Sequence, residues 1–299
     1  MSKILVTGAN GFVGQRLVPA LLERGHIIVA VDKHFYEPPA GSNCFSIQSY
    51  IEDSLFLSDV DIADCDTVIH LANTARIEPS WKEPGEYYRN NISVTTDFFR
   101  RCQRLGVKRF IHFSSSSVYG NNNKKHQSET SPLSPVSPYA ISKMAGEQSL
   151  KSYAHSTQLL IVRPFTMFGE TMELDQNALA IGKFIRAWTK DEPLILHSGG
   201  SQLRDFVHVD EALAGVLLLL DQVQLSGIYN VGFGSSVSIK QIADVISHRQ
   251  VRSIGRPGPE YDVVADISKM RQLGYNPTTH VLDWLLDHKD KSFKEFTCL

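Results

Sequence analysis

Short apolar runs alternating with helix-period stretches organise the first half of the chain. Ile4-Leu-Val6 is continuous and apolar, the pattern of a strand buried on both faces of a parallel sheet, and it ends in Thr7-Gly8. Val13, Leu17 and Leu21 then recur at four-residue spacing, the core-facing stripe of a helix. Pro19 removes one hydrogen bond from that helix, and Gly25 closes it. Ile27-Ile-Val-Ala-Val31 is the second strand, with Asp32 at its end. Cys44 to Ile47 reads as a third strand, Thr67-Val-Ile-His-Leu71 as a clear buried one, and Lys108-Arg-Phe-Ile-His-Phe113 and Gln158-Leu-Leu-Ile-Val-Arg163 as two more. Between them lie a long helical pattern from Tyr87 to Leu105, ended by Gly106, and a helix opening at Pro138 with Ser137 as N-cap. Pro38-Pro39-Ala-Gly41 is a loop, and Asn121 to Ser137 is a polar, proline-containing loop long enough to be functional. This alternation predicts an α/β fold with a Rossmann-like, doubly wound parallel sheet over residues 1–165.

Beyond Pro164 the pattern loosens. Helices are expected from Gln176 to Lys190, Asp210 to Gln222, Ile239 to Ser247 and Val281 to Asp287. Short strands are expected near Leu194 to Leu196, Phe206 to Val209 and Gly227 to Val231. Residues 166–299 are therefore expected to form a smaller α/β domain. The longest apolar run, Ala212 to Leu220, is far too short to span a membrane and reads as a buried helix.

Composition narrows the classes of function. A net charge of -2 over 299 residues gives no general attraction to nucleic acid or anionic lipid. A hydrophobic fraction of 42% with 21% charged residues is that of a soluble globular protein. Cys44, Cys65, Cys102 and Cys298 are scattered without Cys-x-x-Cys spacing, which argues against a disulfide framework or a zinc site and fits a reducing cytoplasm. No segment has the regions of a signal peptide. No His/Asp/Glu group has metal-ligand spacing, so no metal is expected.

Two stretches carry candidate chemistry. The first is Gly8-Ala-Asn-Gly11-Phe-Val-Gly14, a Gly-x-x-Gly-x-x-Gly turn between strand and helix. Gly8 allows the sharp turn, Gly11 lets the backbone approach a pyrophosphate, and Gly14 lets helix and strand pack closely. Asp32 stands where an acid accepts bonds from an adenosine ribose, which favours NAD over NADP, although Lys33 and His34 blunt that preference. The second stretch runs from Phe110 to Glu147 and holds Ser114-Ser-Ser-Ser-Val-Tyr-Gly120 and Pro138-Tyr-Ala-Ile-Ser-Lys143. Tyr139 and Lys143 share a helix face one turn apart. A free tyrosine, with a pKa of about 10, is a poor base near neutrality, and a neighbouring ammonium favours its phenolate. With a serine hydroxyl to hold the substrate oxygen, such a pair takes a proton from an alcohol while hydride leaves the same carbon.

Taken together these residues resemble the extended short-chain dehydrogenase/reductase family, with the strongest likeness to nucleotide-sugar epimerases of the UDP-hexose 4-epimerase type. The resemblance covers nearly the whole chain: the glycine motif, His70-Leu71-Ala72, Ser80, Pro84, Asn91, the serine run, Tyr-x-x-x-Lys, Arg163-Pro164, Arg204-Asp-Phe-Val-His-Val-Asp210 and Arg256-Pro-Gly258 appear in family order. It implies Ser115, Tyr139 and Lys143 as catalytic residues. It implies a cofactor site of Gly8, Gly11, Phe12, Val13, Gly14, Asp32, Leu71, Ala72, Asn91, Tyr139 and Lys143. It implies contacts to a nucleotide sugar from Ser80, Ser115, Tyr139, Thr166, Arg204 and Arg256, the two arginines on the diphosphate. It further implies that part of the second domain's sequence returns to the first, and a homodimer paired through the helices holding Asn91 and Tyr139.

The chain departs from the family's pattern in places. Thr166 stands at a usual asparagine, Phe168 at a usual tyrosine, Val94 at a common glycine and Tyr50 at a frequent adenine-contacting aspartate. Ser116 and Ser117 occupy the place where dehydratases and decarboxylases carry acids, and hydroxyls there do not supply the acid and base that loss of water needs. His70 reads as a core or near-cofactor residue. The implied reaction is NAD-dependent epimerisation at C4 through a transient 4-keto sugar. A 4-keto-sugar reductase, and an NAD(P)-sensing protein without chemistry, are the alternatives.

Overall fold

The computed structural model describes residues 1–35, 41, 43–53, 57–124, 126–170, 172, 179–253 and 261–289. Arg256, Cys298, the loop expected at Pro38 and the expected helix start at Gln176 lie outside the described residues. The chain divides into two compact units, neither of them one continuous stretch. The first comprises Met1–Ser115, Ser137–Arg163 and Leu219–Tyr229; the second comprises Ser116–Val136, Pro164–Leu218 and Asn230–Leu299.

The first unit is built on a seven-stranded sheet. Its order is Gly227–Val231, Gln158–Pro164, Arg109–Phe113, Thr67–His70, Lys3–Thr7, Ile27–Asp32 and Cys44–Gln48. Pairings from Gln158–Pro164 through to Cys44–Gln48 are parallel, with Leu5 opposite both Val29 and Val68. The central strands are buried along their whole length, which is why they read as mostly apolar runs without strict alternation. The outermost strand, Cys44–Gln48, leaves Phe45 exposed and reads less clearly for that reason. One core cluster packs Leu5, Val29, Val68 and Phe110 with Phe98, Phe99 and Cys102 of the helix Thr95–Arg104.

The long helix expected from Tyr87 to Leu105 is an α-helix at Pro84–Tyr88, a π-helical stretch at Arg89–Val94 and a second α-helix at Thr95–Arg104. The π stretch is where Asn91 sits. Helix Gly14–Glu23 carries Pro19 inside it, and helix Pro138–Tyr153 opens as expected: Ser137 Oγ accepts the Ala140 amide at 3.2 Å. The five-residue helix Asp59–Ala63 was not anticipated, although the Ser58-x-x-Asp61 capping box that opens it is a readable signal.

The second unit has no large sheet among its described residues. Its strands pair in twos: Thr166–Phe168 with Phe206–His208, Leu194–His197 with Gln250–Ser253, Leu203–Arg204 with Val237–Ser238, and His126–Gln127 with Val264–Ala265. A core of Phe168, Phe184, Ile185, Leu194, Leu196, Ile242 and Trp284 joins the helices Ala180–Thr189, Ile239–Ile246 and Val281–His288. The run expected as a buried helix at Ala212 is helix Val209–Asp221. No helix among the described residues is long and apolar enough to cross a membrane.

Candidate active site

The glycine turn is shaped by contacts that a side chain would prevent. Gly8 has φ +70°, and a Cβ there would come within 2.8 Å of Ala72 N and 2.9 Å of Leu71 C. A Cβ on Gly14 would lie 2.3 Å from Gly8 O, so only glycine lets the first helical turn close on the strand end. Gly11 donates its amide to Gly8 O at 3.1 Å. Phe12 and Val13 complete the turn, and Val13 stands at the helix N-cap, where no side chain accepts a hydrogen bond. No acid lies in the first helical turn. A ten-residue helix whose N-terminus is left uncapped behind a glycine cradle suits an anion.

Asp32 closes the turn's far side: Oδ2 accepts the Asn10 amide at 2.9 Å and Oδ1 the His34 amide at 3.2 Å. Leu71 and Ala72 follow the strand Thr67–His70, their amides bonded to Thr7 O and Thr7 Oγ1. These residues fit a dinucleotide: a turn free of side chains, an open helix N-terminus and an oriented carboxylate at the end of the second strand.

Lys143 is fully buried on the helix Pro138–Tyr153. Its Nζ donates to Asn73 Oδ1 at 2.7 Å and to Phe113 O at 2.5 Å. Burial pulls it down to about 7, and the carboxylate of Glu147 opposes that fall. Tyr139, one turn earlier, is half-buried and stands edge-on to Tyr87, ring centroids 6.1 Å apart. Ser115 is half-buried just after Ser114, whose Oγ donates to Glu147 Oε1 at 2.5 Å. Beneath Lys143 lie His70 and His112, ring centroids 5.7 Å apart and both buried. Burial holds His70 at about 3 and His112 well below the usual histidine range, with the Lys143 charge adding to both, so both rings are neutral. His70 also bonds Thr7 Oγ1 and Thr95 Oγ1, a core residue under the site.

Two expected contact residues are buried, with their side-chain donors bonded within the chain. Asn91 is buried, and its amide hydrogens go to Thr74 O and Ser142 Oγ, both at 2.9 Å, while Oδ1 accepts the Thr74 amide at 2.9 Å. It therefore ties the segment after Ala72 to the Tyr139 helix. A Cβ on Gly146 would meet Asn91 O at 2.5 Å, so the two helices touch backbone to backbone here. Ser80 is also buried, and its hydroxyl donates to Ile77 O at 2.6 Å, leaving only acceptor lone pairs.

In the second unit Thr166 is half-buried, its amide bonded to Asp205 O at 3.0 Å. Arg204 lies with its guanidinium carbon 4.9 Å from the Tyr261 ring centroid and donates to Leu203 O and Tyr261 O. Glu170, His208 and Asp210 bring three metal-capable atoms within 4.8 Å of one another, a grouping their sequence spacing does not suggest. His208 Nδ1 accepts the Asp210 amide at 3.3 Å, and its Nε2 lies 3.4 Å from a Glu170 oxygen. The sequence also left Glu147, Asn73 and Ser142 unmarked; of these only Glu147, four residues after Lys143, had a visible signal.

The model of the NAD dependent epimerase/dehydratase family matches residues 4–232, and the chain belongs to that family. It is similar to a protein of Bacillus subtilis named as an uncharacterized UDP-glucose epimerase, YtcB, at 29% identity over 95% of each chain. Its fold is similar to that of MoeE5 in complex with UDP-glucuronic acid and NAD, with a TM-score of 0.87 and 30% identity over 99% of both chains. It is similar also to a UDP-N-acetylglucosamine 4-epimerase of Methanobrevibacter ruminantium, with a TM-score of 0.88 and 29% identity over 98% of both.

Proposed function

We propose that the protein is an NAD-dependent epimerase acting at C4 of a nucleotide-activated hexose of the UDP-glucose type, its uronate and N-acetylated forms included. The observation that carries this reading is the Lys143 ammonium, fully buried one turn from Tyr139 and held by two neutral acceptors. An ammonium so placed favours the phenolate of its neighbour.

When bound, NAD supplies the hydride acceptor and donor for the sugar carbon. Gly8, Gly11, Phe12, Val13 and Gly14 would hold its pyrophosphate, Asp32 its adenosine ribose, Leu71 and Ala72 its flank, and Lys143 its nicotinamide ribose. Tyr139 takes the 4-hydroxyl proton and later returns it. Ser115 hydrogen-bonds the same oxygen. The 4-keto sugar turns over between the half-reactions while Arg204 and Arg256 keep the diphosphate anchored. Thr166 and Ser80 are assigned to the substrate and Asn91 to holding the cofactor segment in place. Serines at 116 and 117 do not supply the acid and base of a dehydratase.

The protein should carry NAD(H) on purification, visible by ultraviolet absorbance and mass spectrometry after denaturation. The deciding experiment supplies UDP-glucose, UDP-galactose and their N-acetyl and uronate relatives, deuterated at C4, without external NADH. Epimerisation with the label retained at C4 is expected. Stoichiometric NAD(P)H consumption on a 4-keto sugar, with none of these epimerised, would establish a reductase instead. We also propose a homodimer through the helices holding Asn91 and Tyr139, supported by Trp81, Tyr88, Ile141 and Tyr153, which are 37–40% exposed on or beside those helices. Light scattering at micromolar concentration should give twice the chain mass. Cys44, Cys65 and Cys102 are free, which supports a cytoplasmic location.

A further inference from the structure

The mechanism above leaves unused a buried acid that lies beside Lys143 on its helix. Glu147 has no exposed surface and sits one turn after Lys143 on the same helix. Its Oε1 accepts from Ser114 Oγ at 2.5 Å and from Arg163 Nε at 2.9 Å, and its Oε2 accepts from Arg163 Nη2 at 2.6 Å. Arg163 is itself 1% exposed. Ser114 lies between Phe113, whose carbonyl receives the Lys143 ammonium, and Ser115. The carboxylate thus reaches both halves of the site, the strand end that presents Ser115 and the helix that carries Tyr139 and Lys143.

We propose that Glu147 is a positioning residue of the reaction: clamped by Arg163, it fixes Ser115 through Ser114 and keeps a carboxylate facing Lys143. The charged and titratable groups around Lys143 agree with this assignment. From the sheet come His70 and His112, both neutral through burial. From its own helix come Tyr139 and Glu147, and Glu147 raises Lys143 against its burial. Behind Glu147 stand Arg163 and, 4.0 Å from Oε2, Lys151. Removing the carboxylate leaves a buried ammonium without that support, so Lys143 gives up its proton at lower pH.

The inference rests on Lys143 being the working cation, and its test separates that from the sugar chemistry. Full-length protein labelled with [13Cε]lysine is titrated by NMR, the Lys143 signal being assigned by its loss in Lys143→Met. Glu147→Gln should move the Lys143 midpoint down by about one pH unit. The alkaline limb of kcat should move the same way, because turnover needs the ammonium. Breaking a buried ion pair on one side can unfold a protein, whereas replacing both partners is often tolerated. Glu147→Gln/Arg163→Met therefore keeps an acceptor for Ser114 and removes the stranded guanidinium, and it should show the same direction with a smaller shift. An unmoved midpoint in the double variant, with kcat lowered evenly at every pH, would make Glu147 a packing partner and overturn the proposal. The lysine titration reads this whatever sugar is turned over.

Discussion

Each unit buries a carboxylate completely, and the two are satisfied in opposite ways. Glu147 in the first unit is met by side chains, the Arg163 guanidinium and the Ser114 hydroxyl. Asp205 in the second is met by the backbone: Oδ1 accepts the Phe233 amide at 2.7 Å, and Oδ2 accepts those of Gly234 and Ala265 at 2.8 and 3.1 Å. Burial pushes Asp205 up to about 6, and the three amides only moderate the rise. A Cβ on Gly232 would come 3.1 Å from both its oxygens, so the chain folds over the acid as closely as glycine allows. Side-chain partners connect Glu147 to groups that can move protons. Amide partners make Asp205 a clasp that stitches three backbone segments together. Polar substitutions in the first unit should therefore separate rate from stability, and those in the second should not.

The largest effect expected is Tyr139→Phe. Loss of a positioned acid–base group costs roughly 10²–10⁴ in turnover. The aromatic ring and its edge contact with Tyr87 survive the change, so thermal stability and NAD content should stay at the level of the original protein. Steady-state rates on the sugar that epimerises, with calorimetry on the same sample, check both halves. An undiminished rate would remove Tyr139 from the reaction.

Asp205→Ala should reverse that pattern. It strands three amides, the buried one of Ala265 and the part-buried ones of Phe233 and Gly234, and a buried group left without a partner costs about 1–3 kcal/mol, so the melting temperature should fall by several degrees. The loss should itself depend on pH. The folded value of about 6 lies above the reference value of 3.8, so between these limits the folded state holds more protons than the unfolded. Stability from this group is fully present below the unfolded value and is lost as pH rises through the folded one. The gap in melting temperature between original and variant should narrow from pH ~4 to ~7. A gap that widened over that range would show Asp205 to be better satisfied ionised than its amide partners imply.

The sequence disclosed the first unit's sheet because its central strands are buried throughout and mostly apolar, and it disclosed the glycine turn because backbone crowding at Gly8 and Gly14 demands that residue type. It disclosed the Tyr139 helix because its cap and first proline are local signals. Features that depend on pairing distant segments stayed hidden. Nothing in 89–94 marks a π-helical stretch, or that Asn91 within it is bonded to Thr74 and Ser142. Nothing at Arg163 says that its partner lies sixteen residues back on a helix. In the second unit the two-stranded pairings are too short to impose a period of their own, and Asp205 was legible only as part of a family segment.

The smallest effect is the sharpest comparison, because both units contain the same local device. Ser137 Oγ accepts the Ala140 amide at 3.2 Å, and Ser238 Oγ accepts the Gln241 amide at 3.0 Å. Gln241 also returns a bond to the Ser238 amide at 2.9 Å, completing a capping box that Ser137 lacks. Removing either hydroxyl should cost about 1 kcal/mol of helix stability. The kinetic consequences should differ. Ser137 opens the turn that carries Tyr139, so Ser137→Ala lets the proposed base move against its substrate oxygen, and a misplacement of about 1 Å can cost 10²-fold in such a step. A several-fold fall in kcat is expected. Ser238 pairs in register with Leu203, next to Arg204, so Ser238→Ala loosens a residue assigned to the diphosphate and nothing assigned to proton transfer. Its effect should appear as a modest rise in KM with kcat unchanged. Equal losses of kcat in the two variants would mean that the caps act through general stability, and that the division of labour drawn from the two buried acids does not extend to the rest of each unit.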